Sequence, residues 1–157
     1  MLCEDCHFAQ NLEVAEAFLE APEGGSEKEK PMKEVEAMRG PSIEEGCKLH
    51  GIPAWKILKT VVYRIKNGLL GVCIRGDLEI NKEKLEKFLG EEVRGATPAE
   101  LKEAKLAVGF ISPVGIDLPC IGDHSVKTVK NFCTGANKPN KDLLHTNLGR
   151  DFQIKTF

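Results

Sequence analysis

No apolar run in this chain approaches the length a bilayer requires, and its start lacks the apolar stretch of a secretion signal. Neither a membrane-spanning nor an exported protein is expected, and the cytoplasm is the expected compartment. A large charge of one sign is also missing. The formal net charge is -2, too small to grip a long stretch of nucleic-acid backbone at physiological salt. There is no Gly-x-Ser-x-Gly, no His-Glu-x-x-His and no Gly-x-x-x-x-Gly-Lys, so the common signatures of serine hydrolases, zinc peptidases and phosphate-binding loops are absent. No internal repeat occurs. Cys3-x-x-Cys6 with His7 makes half of a zinc knuckle, but a closed structural site needs four ligands and no second pair has knuckle spacing. No metal is expected. The remaining cysteines (47, 73, 120 and 133) read as small, buried, reduced side chains rather than a disulfide framework.

What is present fits one domain with attached material at an end. The 157 residues are 41% hydrophobic and 29% charged, ordinary for a globular protein. The charge is uneven: residues 1–38 carry ten acidic and three basic side chains, giving -7, and residues 39–157 carry +5. An acidic leader over 1–33 is expected to hold a short amphipathic helix, with Leu12, Ala15, Phe18 and Leu19 at helical spacing, and a polar linker from Pro22 to Lys33. The domain proper is assigned to 34–157. Its mildly basic balance suits a short phosphate-bearing end presented by something else.

Within the domain, Ser42 and Glu45 form a capping-box pattern that predicts a helix from Ile43 to Gly51. Pro53 opens a further short turn. LKTVVYRI and LLGVCIR flank Asn67-Gly68 and predict a hairpin. Asn81 is expected to cap a helix ending at Gly90 with Leu85, Phe88 and Leu89 inward, and Thr97-Pro98-Ala99-Glu100 to start another. LAVGFIS and IGDHSVKTV read as strands. Strands and helices interleave without a strict βαβ rhythm, so the expected class is α+β, a twisted mixed sheet surrounded by helices.

Three features inside the domain can carry chemistry. Lys59 stands at the entry to an apolar strand; most such lysines snorkel to water, but one aimed into a cleft can meet a phosphate or a developing oxyanion. Gly109-Phe110-Ile111-Ser112-Pro113 is a Gly-x-x-x-Pro loop, either a plain turn or a stiff ligand wall that backbone can approach closely. Gly135-Ala136-Asn137 is a small-residue turn with unpaired amides among Lys127, Lys130, Lys138 and Lys141, either an anion cradle or a solvated basic loop.

Taken in order, the pieces CxxCxxAxN (3–11), Lys59-Thr60, VCIRGDLEIN (72–81), ATPAEL (96–101), GFISPVG (109–115), IGDHSV (121–126), NFCTGAN (131–137) and LGRDF (148–152) resemble the insertion domain of bacterial-type prolyl-tRNA synthetases. That domain belongs to the aminoacyl-tRNA deacylase superfamily. The resemblance implies hydrolysis of alanine wrongly esterified to the proline tRNA, whose 3′ end and the rest of a synthetase chain would be the partners. It implies that Lys59 anchors the terminal adenosine and its phosphate, and that Ile43 and Gly46 line the amino-acid pocket. Gly109, Phe110, Ser112 and Pro113 would line it too and offer amides to the oxyanion. Asp123 matches an acidic position of the family, and Gly135, Ala136 and Asn137 would support the 3′ end. Water is then the nucleophile, assisted by the free ribose hydroxyl, with no cofactor. ATP and Mg would serve only a ligase domain whose motifs this sequence lacks, so it looks like an excised domain without ligase activity.

Three departures stand out. Ser112 replaces the usual glycine. Gly46 replaces a bulkier aliphatic, which implies a wider pocket. Asp142 falls where the family has a histidine, which would place a negative charge near an incoming phosphate. His145, three residues on, is expected to substitute if the 137–149 stretch shifts as an adjustable loop. Two other functions stay open: a non-catalytic tRNA-binding or structural insertion, and a free-standing cysteinyl-tRNA deacylase.

Overall fold

The computed structural model describes residues 28–154 and 156–157. The leader helix, the Cys3/Cys6 pair and the first half of the linker, residues 22–27, lie outside the described residues. The first strand, β1, is Lys33–Glu36. Helix α1 spans Ile43–His50, with both hydrogen bonds of the Ser42/Glu45 capping box in place and Gly51 closing it in the left-handed region. Pro53 leads into a 3-10 turn at Ala54–Lys56. Strands β2 (Leu58–Ile65) and β3 (Gly68–Arg75) form the expected hairpin. The positive φ, 134°, falls on Gly68 and not on Asn67, so Lys66 and Asn67 turn the chain and the glycine opens the return strand.

Asn81 caps α2 (Lys82–Leu89) by accepting from Lys84 N–H, and Gly90 ends it. A short β4 (Arg94–Gly95) precedes α3 (Pro98–Glu103), where the Thr97/Glu100 box and the first-position proline act as read from the sequence. Strand β5 is Cys120–Gly122, β6 is Phe132–Gly135 and β7 is Lys141–Thr146.

The expected α+β class with a mixed sheet is what forms, but the strands divide into two sheets. One is four-stranded in the order β4-β2-β3-β5, with β3 and β5 parallel; the other is three-stranded and antiparallel, β1-β7-β6. They meet where Ile57 bridges Cys133 and where Thr134 Oγ1 donates to the Leu58 carbonyl at 3.0 Å. Strand β3 is buried from Leu70 through Arg75 because both of its faces are covered. Leu70 and Val72 face a cluster with Leu85 and Val93, while Cys73 faces the larger cluster of Leu58, Val126, Val129, Phe132, Phe152 and Ile154.

Four expectations are corrected. Phe88 is 53% exposed; Leu85 and Leu89 already form the docking stripe, and Phe88 sits about 100° round the helix from Leu89. LAVGFIS is not a strand, because Phe110 N–H turns back to the Ala107 carbonyl at 2.9 Å and Gly109 adopts a φ of 84°. IGDHSVKTV is a strand only at its start: the Asp123 side chain accepts from Ser125 N–H and opens a 3-10 turn over His124–Thr128. The 137–149 stretch is no adjustable loop, since β7 is the middle strand of its sheet.

Candidate functional site

Beside the junction of the two sheets lies a cavity of about 240 Å³. Four groups of residues wall it: Arg39 and Pro41 to Ile43 with Gly46, Ile57 with the first half of β2, Gly109 with Ile111, and Cys133 to Gly135 with Asp142. The cavity is smaller than the roughly 300–1,000 Å³ of sites that enclose drug-sized ligands. It has room for a small acyl group.

Lys59 lines this cavity from β2. Its ammonium donates to the Leu78 carbonyl at 2.7 Å and pairs with Glu79 at 3.3 Å. The VCIRGDLEIN segment explains that placement. Arg75, buried in β3, grips Asp77 with two bonds of 2.6 and 3.0 Å, and Leu78 N–H returns to the Arg75 carbonyl at 3.0 Å. The tight turn so fixed aims the Leu78 carbonyl at Lys59. Because Glu79 is 93% exposed, its ion pair with Lys59 is screened and weak.

The opposite wall is the Gly109 loop. Gly109 lies against Pro41, where its φ of 84° leaves no comfortable place for a side chain. Asn137 locks the next turn: its carbonyl accepts from Ser112 N–H at 2.9 Å, and its amide donates to the Val114 carbonyl at 2.8 Å and to the Ser112 carbonyl at 3.2 Å. Ser112, fully buried, accepts from both Asn137 and Val114 N–H, so the hydroxyl that replaces glycine is absorbed into the brace. Among the described residues, Phe110, Ser112 and Val114 amides are engaged, whereas those of Gly109 and Ile111, which line the cavity, find no acceptor.

At the base sits a buried charge pair. Asp142, with no exposed surface, accepts from Arg39 Nε at 2.8 Å and Nη2 at 2.6 Å, and contacts His50 Nε2 at 2.7 Å. Asp142 therefore does not confront an incoming phosphate; its charge is met inside the protein. Burial, with the Asp142 carboxylate beside it, pushes the Cys133 thiol up to about 12, so this cysteine stays protonated and is no nucleophile. His50, Cys133 and Asp142 bring ligand-type atoms within 4.8 Å of one another, close enough to hold a metal ion. As folded, both carboxylate oxygens are already taken by Arg39 and His50.

Of the residues singled out in the sequence, Lys59, Ile43, Gly46, Gly109 and Gly135 meet at the cavity. Phe110, Ser112, Pro113, Ala136 and Asn137 do not line it; Phe110, Ser112 and Asn137 brace the wall from behind. The reading of residues 135–137 as unpaired amides is corrected: Ala136 N–H donates to the Lys141 carbonyl at 3.0 Å and Asn137 N–H to the Phe110 carbonyl at 2.8 Å. The lysines around that turn are engaged too, Lys130 with Glu29, Lys138 with Glu34 and Lys141 with Glu36, while Lys127 lies over the Phe157 ring.

Asp123 caps the 3-10 turn after β5, outside the lining. His145 is also outside it, on the far half of β7, where burial and then Lys30, Lys56, Lys33 and Arg150 hold its pKa down. His145 thus stands outside the cavity, beyond the part of β7 that pairs with β1 and at a φ of 61°; the shifting loop on which its expected role was built is not what forms. Gly46 lines the cavity, and a Cβ there would lie 3.3 Å from Ile57 Cδ1 and 3.7 Å from Arg39 Cδ, so these two side chains border the space beside it. Sequence reasoning missed Arg39 and His50, whose shared partner lies 103 and 92 residues away; the one available signal was a carboxylate next to the Leu143-Leu144 pair.

The sequence pattern of the aminoacyl-tRNA editing domain family matches residues 39–152, a span that holds every cavity-lining residue. A proline--tRNA ligase of Thermotoga maritima is 38% identical over 156 residues, covering 98% of this chain and 27% of the ligase. One from Persephonella marina is 36% identical over 159 residues, covering 100% of this chain and 28% of the ligase. The chain thus spans about a quarter of the length of these relatives. Among solved structures, a hypothetical protein superposes with a TM-score of 0.66 at 22% identity, over 74% of this chain and 81% of that one. A putative trans-editing enzyme for prolyl-tRNA synthetase superposes with a TM-score of 0.63 at 23% identity, over 73% and 76%. At such identities these two report the fold alone. With the matched span covering the cavity and every strand but β1, the chain belongs to the aminoacyl-tRNA editing domain family.

Proposed function

We propose that this chain hydrolyses the ester of a wrongly aminoacylated proline tRNA, with alanyl-tRNA(Pro) as the substrate. The observation that carries this reading is the small cavity itself, which joins one ammonium, from Lys59, to a loop with two unengaged amides, while the one thiol in its lining, Cys133, stays protonated. Water then attacks the ester carbonyl, and the Gly109 and Ile111 amides receive the developing oxyanion. Collapse of this intermediate breaks the ester C–O bond, and the departing ribose oxygen takes up the proton that water loses, giving the free amino acid and an uncharged tRNA. Lys59 holds the terminal nucleotide by its phosphate, outside the cavity, while the aminoacyl group enters. The choice of alanine follows the family resemblance and the logic of double sieving: a synthetic site for proline cannot strongly reject a smaller side chain by binding alone, and a second sieve removes it.

The test is deacylation by the purified protein of tRNA(Pro) charged with alanine, cysteine or proline. Rapid loss of the alanyl ester with the prolyl ester intact is expected. Preferential loss of the cysteinyl ester would reassign the substrate, and no hydrolysis of any of the three would overturn the catalytic reading.

A further inference from the structure

One guanidinium ties together the walls of the cavity. Besides its two bonds to Asp142 of β7, Arg39 donates to the Gly109 carbonyl from Nη1 at 3.3 Å and Nη2 at 3.4 Å, and to the Gly40 carbonyl at 2.9 Å. Its planar head lies 4.5 Å from the centre of the Phe110 ring. His50, at the end of α1, closes on the same carboxylate. Helix α1, the 39–42 segment, the Gly109 loop and β7 all contribute to the lining, and all are fixed to this one pair. Gly46 completes the fit, since a side chain there would press on the Arg39 stem and on Ile57.

We infer that Arg39 is a positioning residue that sets the amino-acid range of the cavity, by holding the Gly109 loop at a fixed distance from α1. This rests on the deacylase reading above. Arg39 touches no reacting atom: its head is turned to Asp142, the Gly109 carbonyl and the Phe110 ring. Three properties of the arrangement require arginine. A planar fork meets both carboxylate oxygens and still has donors left for the Gly109 carbonyl, whereas an ammonium is a single point. The guanidinium face stacks on Phe110, the residue between the two lining positions of the loop. The pair is closed to solvent, with 10% of the Arg39 side chain and none of Asp142 exposed, so salt and water do little to loosen it. The space that a bulkier aliphatic on α1 would fill is taken here by the Arg39 stem and Ile57, so a glycine at position 46 coexists with a narrow cavity.

The test compares wild type with Arg39→Ala and Arg39→Lys. Because Arg39→Ala strands a buried carboxylate, the double variant Arg39→Met/Asp142→Leu is made alongside; replacing both members of such a pair by apolar groups commonly preserves folding. Two quantities are read: amide hydrogen exchange at Phe110, Ser112 and Asn137, whose N–H groups are bonded within and behind the loop, with α2 as the internal control, and the ratio of kcat/KM for valyl- over alanyl-tRNA(Pro). Expected are exchange at the loop faster by tenfold or more with α2 unchanged, and a ratio shifted roughly tenfold or more toward the larger ester, the scale of selectivity associated with a methylene group. Arg39→Lys should fail to restore either. Millimolar guanidinium should restore both in Arg39→Ala, and methylammonium should not. Unchanged loop exchange, or an unchanged ratio with both esters slowed alike, in Arg39→Ala or in the double variant, overturns the inference. If Arg39→Ala does not fold, the double variant decides. A wild type inactive on every ester refutes the deacylase reading instead, and the exchange arm then decides alone whether Arg39 holds the loop.

Discussion

Lys59 is a cation that already has partners, and this shapes how it can act. The Leu78 carbonyl fixes the ammonium at 2.7 Å, and the exposed Glu79 competes for it only weakly. A phosphate can displace Glu79 without disturbing the carbonyl bond. Lys59→Ala should therefore lower deacylation by orders of magnitude while circular dichroism stays unchanged; retained activity would remove Lys59 from the mechanism. Gly46 gives a second test at this scale. Alanine there meets Ile57 at 3.3 Å and requires only a small adjustment, whereas Gly46→Leu should cost about 1–3 kcal/mol by overpacking and cut turnover of the alanyl ester. Thermal denaturation beside deacylation checks both, and a stable, fully active leucine variant would show that Ile57 and Arg39 leave more room than their positions imply. Lys59 was legible in the sequence because its place at a strand entry and its local motif coincide. Arg39 and His50 were not, because their meaning lies in one carboxylate brought to them by strand pairing.

The helices were the most legible elements, since each carries its start and stop within a few residues. The Ser42, Asn81 and Thr97 caps all form as the local sequence dictates. Segments whose hydrogen bonds are taken by side chains were misread: 106–112 has strand-like composition, yet Asn137 and Arg39 occupy groups a neighbouring strand would need. The α3 cap makes a titration prediction. The Arg94 guanidinium, and next the Thr97 backbone, hold the Glu100 carboxyl down from an ordinary 4.5 to about 2. A depressed carboxyl pKa contributes stability that is present above the ordinary value and lost as pH falls through the folded one. Acid should therefore loosen the start of α3 between about pH 4.5 and 2. A carbon-detected titration should show Glu100 with a midpoint near 2, moving back toward 4.5 in Arg94→Ala. An unmoved midpoint would assign the shift to the cap alone.

At the scale of the whole molecule, the two sheets share few direct bonds, and one of them is the Thr134 hydroxyl on the Leu58 carbonyl. Thr134→Val keeps the shape and leaves that buried carbonyl without its donor, an expected loss of about 1–3 kcal/mol. Because Leu58 and Phe132, from different sheets, share one core cluster, Trp55 fluorescence and far-ultraviolet dichroism should still report one coincident urea transition. Separated curves would show that the sheets unfold independently. The buried carboxylate of β7 has a consequence for assembly as well. Asp142 stands opposite Val35 on one side and Gly135 on the other. Sliding β7 by two residues would preserve its inward and outward faces, so the apolar pattern alone tolerates the error. It would also set Leu144 or Asn140 before Arg39 and His50 and carry the carboxylate away from both cations. Only one alignment of the three strands neutralises that charge, so Asp142 works as a key that admits a single register before any substrate is met.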